Sequence, residues 1–333
     1  MNISVIGSGT WGMAIAKLLF DNGHNIKVWS AIESEIEKLK KDRTQKNLPG
    51  IVFDKDIVFE SNLEKAMEGS KILVLSVPSI YTRSTAKLMS PYYKENQIIV
   101  NVAKGIEEST LKILTEQISD EIPCANVAVL SGPSHAEEVV RQLPTTCVAG
   151  ANDLDTAKLI QSVFMSPVFR VYTSLDMLGI ELGGSLKNVI ALAAGISDGL
   201  GYGDNAKAAL ITRGIVEISR LGTAMGANPD TFYGLSGIGD LIVTCASMHS
   251  RNRKAGMLMG QGKTMQEAMK EVEMVVEGVY SAKAAKALSK KYNINMPIVD
   301  EVNAILFDNK DPKQAVDALM LRDKISESTG LEK

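Results

Sequence analysis

The apolar residues of this 333-residue chain change period part-way along, and that change limits the possible folds more than any single motif does. Up to about residue 176, short β-branched runs alternate with longer amphipathic stretches. Residues 2–6, 26–29, 71–77, 98–102, 127–130, 146–149 and 168–172 read as strands, and 12–22 and 32–41 as helices, the first stopped by Gly23. Near-continuous apolar strands separated by helices predict a parallel sheet covered on both faces. Beyond Asp176 the strand pattern disappears and the chain reads as helices with glycine breaks. The length exceeds one ordinary core, so two domains are expected: an α/β doubly wound sheet in 1–183 and an all-α domain in 184–333.

Gly7-Ser8-Gly9-Thr10-Trp11-Gly12 follows the first strand directly and opens a helix. In that position G-x-G-x-x-G is a dinucleotide fingerprint. Gly7 makes the tight turn, Gly9 lets backbone approach a pyrophosphate, and Gly12 allows close helix–strand packing. The first domain is therefore expected to be Rossmann-like and to bind NAD or NADP. The acid that would hold the ribose 2′-hydroxyl of NAD belongs at the end of the second strand. Ser30, Ala31 and Ile32 are neutral there, Glu33 comes late, and no arginine is present for a 2′-phosphate. Lys38, Lys40 and Lys41 read as a solvated helix face, so the choice between the two coenzymes stays open.

Ligands of open α/β sheets gather at the carboxyl ends of the strands. Three later strands end there in small or polar residues: 76–79, 101–105 with Lys104, and 131–136 with Gly132, Ser134, His135 and Ala136. Lys187 lies in an otherwise apolar helix above a stripe of Gly184, Ala191 and Ala194. Partial desolvation there would lower its pKa and prepare the ammonium for proton transfer. His135 and His249 are the competing acid–base groups, whereas His24 reads as structural. Residues 237–253 bring Asp240, Thr244 and Arg251 within a few helical turns. Ser250 is a good N-cap, so free N–H groups and the Arg251 guanidinium together form an anion site suited to phosphate. Glu277 reads as a helix-start carboxylate.

Composition narrows the partners. Thirty-six basic against 39 acidic residues leave a net charge of −3, so neither nucleic acid nor an anionic membrane is expected. Three cysteines and three histidines show no metal-ligand spacing, so no metal is expected and a reducing compartment is. The chain starts on a strand pattern rather than a leader, and its longest apolar run, 189–196, is too short to span a bilayer. A cytoplasmic protein without membrane insertion is the expectation, with a fraying tail at 326–333.

Five segments together resemble the NAD(P)-dependent glycerol-3-phosphate dehydrogenases of the bacterial, phospholipid-synthesis type. They are G-S-G-T-W-G at 7–12, V-A-K-G at 102–105, S-G-P-S-H-A at 131–136, E-L-G-G-S-L-K-N at 181–188, and G-D-L-I-V-T-C-A-S-M-H-S-R-N-R-K-A-G at 239–256. The resemblance implies interconversion of dihydroxyacetone phosphate and sn-glycerol 3-phosphate. It makes Lys187 the general acid, with Lys104, Asp240 and Thr244 orienting substrate and supporting proton transfer. It places Ser250, Arg251 and Asn252 on the phosphate, with Gly132 and Ser134 completing the pocket. Thr10, Trp11, Lys104, Ala136, Arg251, Val275 and Glu277 would contact the coenzyme. It also implies a homodimer. The family often carries arginine where this chain has Ser30-Ala31. The rival reading is a β-hydroxyacid or sugar-acid dehydrogenase of similar architecture, and a non-catalytic nucleotide sensor is a third.

Overall fold

The computed structural model describes residues 1–324, 326 and 327. The expected fraying of the tail concerns residues that lie, Ser326 and Glu327 apart, outside this description. Eight strands form one sheet: β1 (Asn2–Ile6), β2 (Asn25–Trp29), β3 (Val58–Glu60), β4 (Ile72–Leu75), β5 (Ile98–Asn101), β6 (Asn126–Ser131), β7 (Thr145–Ala151) and β8 (Phe169–Ser174). Their order is β3-β2-β1-β4-β5-β6-β7-β8.

Alternation of side chains along each strand explains the two covered faces. Ile3 and Val5 of β1, Ile72 and Val74 of β4, and Ile98 and Val100 of β5 enter one apolar layer. Ile6, Leu73, Leu75 and Ile99 enter the layer on the opposite face. This is the doubly wound, Rossmann-like arrangement expected from the pattern.

Two details depart from expectation. β6 and β7 pair antiparallel, whereas the sheet was expected to be parallel throughout. Between them the chain forms only the four-residue helix Ala136–Val139, too short for the covering crossover that parallel pairing needs. β3, a three-residue edge strand on β2, carries too short a pattern to be read from sequence.

The second half is helical. Its centre is the helix Met177–Gly199, in which every residue from Gly179 to Ser197 is buried. The boundary expected after residue 183 falls inside this helix; the sheet itself ends at Ser174. The run 189–196 understated the segment: the full helix is long and apolar enough to cross a membrane, but 83% of its most apolar window is buried inside the protein. Helices Asp204–Ala224, Asp240–Ala246, Arg251–Gly260 and Glu277–Lys291 pack around it. The crossing with Arg251–Gly260 is close. A Cβ on Gly195 would fall 2.1 Å from the Arg253 carbonyl oxygen, and one on Gly256 would fall 2.2 Å from that of Leu192.

Candidate active site

β1 and β4 are neighbours in the sheet although the chain leaves them toward opposite sides, and ligands of such folds bind at that switch point. Gly7 turns the chain with φ +126°, and its N–H donates to the Trp29 carbonyl at 2.8 Å. A Cβ on Gly12 would lie 2.1 Å from the Gly7 carbonyl oxygen and 2.4 Å from Ser76 Oγ, so only glycine lets the helix start this close to the strand ends. A Cβ on Gly9 would meet nothing within 4 Å. The first turn of helix Thr10–Asp21 thus opens beside Gly9 onto free space with N–H groups unpaired among the described residues, which fits the pyrophosphate of a dinucleotide. Ser76 Oγ braces the loop by donating to the Gly7 carbonyl at 3.0 Å. Trp11 Nε1 donates to the Val102 carbonyl at 3.2 Å, and Asn47 Nδ2 donates to Thr10 Oγ1 at 3.1 Å.

The second group is a buried cluster of side chains. Lys187 Nζ donates to Asp240 Oδ1 and, at 2.6 Å, to Thr244 Oγ1. Thr244 Oγ1 in turn donates to the Asp240 carbonyl one helical turn back, at 2.6 Å. Lys104 Nζ donates to the other carboxylate oxygen of Asp240 at 2.6 Å and to the Gly132 carbonyl at 3.0 Å. Asp240 reaches this position because the chain bends sharply before it. Gly237 sits against the backbone of Phe232, where a Cβ would lie 2.1 Å from the carbonyl oxygen.

Burial lowers the Lys187 pKa to about 8, against the pull of Asp240 and with help from the Lys104 charge. Burial also opposes the Asp240 charge, but the two ammoniums outweigh it and hold the carboxyl below its usual range. Two ammoniums against one carboxylate leave the cluster net positive, a favourable field for an anionic substrate.

The third group is the start of helix Arg251–Gly260. Ser250 caps it, its Oγ accepting from the Arg253 N–H at 3.2 Å. Arg251 is exposed and makes no hydrogen bond or ion pair among the described residues, whereas Arg253 is tied to Asp198 at 2.7 Å. The Asn252 side chain is already engaged: its Nδ2 donates to Asn188 Oδ1 at 2.9 Å, and its Oδ1 accepts from the Gly278 N–H at 2.8 Å. What Asn252 can offer an anion is its backbone N–H. These two bonds join the immediate neighbours of Lys187, Arg251 and Glu277 into one framework.

Comparisons with known proteins agree with this geometry. Residues 2–157 and 176–317 match the N-terminal and C-terminal parts of one family, described as NAD-dependent glycerol-3-phosphate dehydrogenase. A glycerol-3-phosphate dehydrogenase (NAD(P)+) of Agathobacter rectalis is 61% identical over 331 residues, 99% of this chain and 98% of that protein. The chain belongs to the NAD-dependent glycerol-3-phosphate dehydrogenase family. The Fusobacterium nucleatum relative of the same name is 60% identical, covering 97% of this chain and 98% of that protein. The crystal structure of glycerol-3-phosphate dehydrogenase from Coxiella burnetii matches with a TM-score of 0.93 at 35% identity, covering 96% of this chain and 99% of that one.

Within this family member the helical half is tied to the sheet by buried polar contacts. The Glu277 carboxylate accepts from the N–H of Ser79 at 3.1 Å and from its Oγ, closing the turn after β4. Burial raises the Glu277 pKa against these bonds and the Arg251 charge. Ser185 Oγ donates to the Gly105 carbonyl at 3.0 Å, next to Lys104. Glu181 accepts from Asn101 Nδ2 at 2.9 Å and from Thr115, and burial pushes its pKa to about 7. Ser79 belongs to the polar strand end 76–79 singled out from sequence, whereas Glu181 was given no role there; a lone acid in the apolar run 178–186 was the available signal for it.

Of the residues after β6, Ser134 Oγ donates to the Gly132 carbonyl at 3.0 Å, and Ala136 is buried at the first position of its helix. Ser131 Oγ and His135 Nε2 are buried without a partner among the described residues, two orphaned polar atoms beside Lys104 and Asp240 that suit a polar ligand. The His135 and His249 rings lie 5.8 Å apart. Val275 is half-buried in the turn before Glu277. At the end of β2 the sequence reading weighed Glu33, but the acid that reaches the strand end is Glu35. Its Oε2 accepts from Ser8 Oγ at 2.7 Å and Ser30 Oγ at 2.9 Å.

Proposed function

We propose that the chain interconverts dihydroxyacetone phosphate and sn-glycerol 3-phosphate with NAD(P)H, and that Lys187 is the proton donor. The observation that carries this is the joining of a buried lysine–aspartate cluster to a free, helix-start arginine through the Asn188–Asn252 bond. When bound, the reduced nicotinamide supplies a hydride to C2 of the ketone. Arg251 and the first-turn N–H groups behind Ser250 hold the phosphate, and the energy of that remote contact positions the carbonyl.

An ammonium has three donors. Lys187 gives two to Asp240 and Thr244, and the third goes to the carbonyl oxygen, which takes up the proton as C2 is reduced. Lys104 likewise has one donor left after Asp240 and Gly132 and orients the same oxygen. His135 is the weaker choice. Burial and the Lys187 charge lower its pKa to about 4, so at neutral pH it has no proton of suitable acidity to give. Gly132 and Ser134 line the substrate side. Gly7, Gly9, Thr10, Trp11, Gly12, Ala136, Val275 and Glu277 surround the coenzyme.

The family resemblance extends this reading to a cytoplasmic homodimer supplying glycerol 3-phosphate for phospholipid synthesis. Burial of the Met177–Gly199 helix supports the absence of membrane insertion. The test is loss of reduced-nicotinamide absorbance when dihydroxyacetone phosphate is added to enzyme and coenzyme. Oxidation is expected with this substrate and not with unphosphorylated 3-oxo acids, the oxidised partners of β-hydroxyacids. The reverse pattern would favour the hydroxyacid reading.

A further inference from the structure

The reaction leaves open which nicotinamide dinucleotide the chain takes, and the end of β2 supplies a selecting group. We propose that Glu35 makes the enzyme choose NADH: its carboxylate accepts a hydrogen bond from the adenosine ribose 2′-hydroxyl and repels a 2′-phosphate. The inference rests on the reading of loop 7–12 as a dinucleotide cradle.

In this fold the adenosine ribose lies over the end of the second strand beside the glycine loop, and an acid there selects the unphosphorylated ribose. The strand end itself offers only Ser30 and Ala31. The acid comes instead from helix Glu33–Asp42 and is fixed at both edges of the ribose position. Ser8 sits between Gly7 and Gly9, and Ser30 follows the last residue of β2. Both serines are buried, and both hydroxyls donate to the same carboxylate oxygen, Oε2. Oε1 makes no bond among the described residues, and Glu35 is exposed. One acceptor oxygen is therefore held in place and left open. A carboxylate accepts only, and a ribose hydroxyl brings a donor.

Among the described residues no cation bonds or pairs with the Glu35 carboxylate. Arg43 is the nearest arginine in sequence, and its guanidinium is spent on the carbonyls of Asp54 and, at 2.9 Å, Ile57, with Phe59 at 4.6 Å below it. Glu33 and Glu35 occupy the first turn of the helix, two negative charges that disfavour a further anion at its N-terminus. Lys38, Lys40 and Lys41 lie further along, exposed, on flexible stems that lack the planar fork suited to phosphate.

The test is fluorescence titration of the full chain with NADH and with NADPH, without the second substrate, for the wild type, Glu35→Gln and Glu35→Asp. We expect the wild type to bind NADH at least about tenfold tighter than NADPH. Glu35→Gln should close most of that gap, chiefly by tightening NADPH, and Glu35→Asp, which keeps the charge, should retain a preference for NADH. Thermal unfolding of each variant confirms its fold; should Glu35→Gln fail to fold, the wild-type ratio still decides. Equal or tighter NADPH binding by the wild type, or an unchanged ratio in folded Glu35→Gln, would overturn the assignment. Folded wild type that binds neither coenzyme would overturn the dinucleotide reading beneath it.

Discussion

On the function proposed above, the cradle at the end of β1 and the cluster around Asp240 both hold a polar ligand at a fixed place, with opposite materials. The cradle is a run of six consecutive residues whose working parts are backbone N–H groups and the space left by missing Cβ atoms. It asks for glycine at set positions and tolerates variety between them. The cluster is made of side chains drawn from far apart: Lys187 is 53 positions from Asp240, and Lys104 is 136. Lys187, Asp240 and Thr244 are buried, Lys104 is partly so, and the two ammoniums hold the Asp240 carboxyl below its usual range. In the proposed reaction the cradle would bind without chemistry of its own, while the cluster would move a proton. Substitution of Lys187 should therefore separate the two, altering turnover and leaving coenzyme affinity in place.

Lys187→Ala is the strongest way to break this comparison. It should lower kcat by about 10²–10⁴-fold, the usual contribution of a positioned proton donor, with the NADH dissociation constant unchanged. A parallel loss of coenzyme binding would mean that cradle and cluster are one structural unit. Arg251→Ala sharpens the comparison with a smaller effect. Removing a charge-assisted contact to phosphate should raise KM for dihydroxyacetone phosphate about ten- to a hundredfold, with less change in kcat. Steady-state kinetics with the purified variants checks both, and an unaltered KM in Arg251→Ala would remove the phosphate from its place at the helix start.

The contrast in materials also explains what could be read from sequence. Local patterns carried the cradle, the strand-and-helix alternation and the Ser250 cap, because each is settled within a few residues. A lysine in an apolar helix was enough to single out Lys187, but nothing in spacing shows that Asp240 holds two ammoniums at once. His135 competed with Lys187 on sequence alone; burial beside two lysines is what separates them. Glu35 was passed over because a side chain reaching back from the next helix leaves no fixed offset from the strand end. The antiparallel β7 was missed for a similar reason, since a period of two says which face a residue takes and not which way its strand runs.

The central claim is that Lys187, with its pKa lowered to about 8, gives up the proton. The ammonium is present below that pH and lost above it, so reduction, which consumes the proton, should slow as pH rises through about 8. Oxidation of glycerol 3-phosphate, which needs the neutral amine, should speed up over the same interval. The most direct measurement is kcat/KM for dihydroxyacetone phosphate from pH 6 to 10, a profile that reports the free enzyme's groups. The account predicts a limb falling above about pH 8 in the wild type and absent from the residual activity of Lys187→Ala. A limb that survives in Lys187→Ala, or a wild-type profile flat to pH 10, would contradict it.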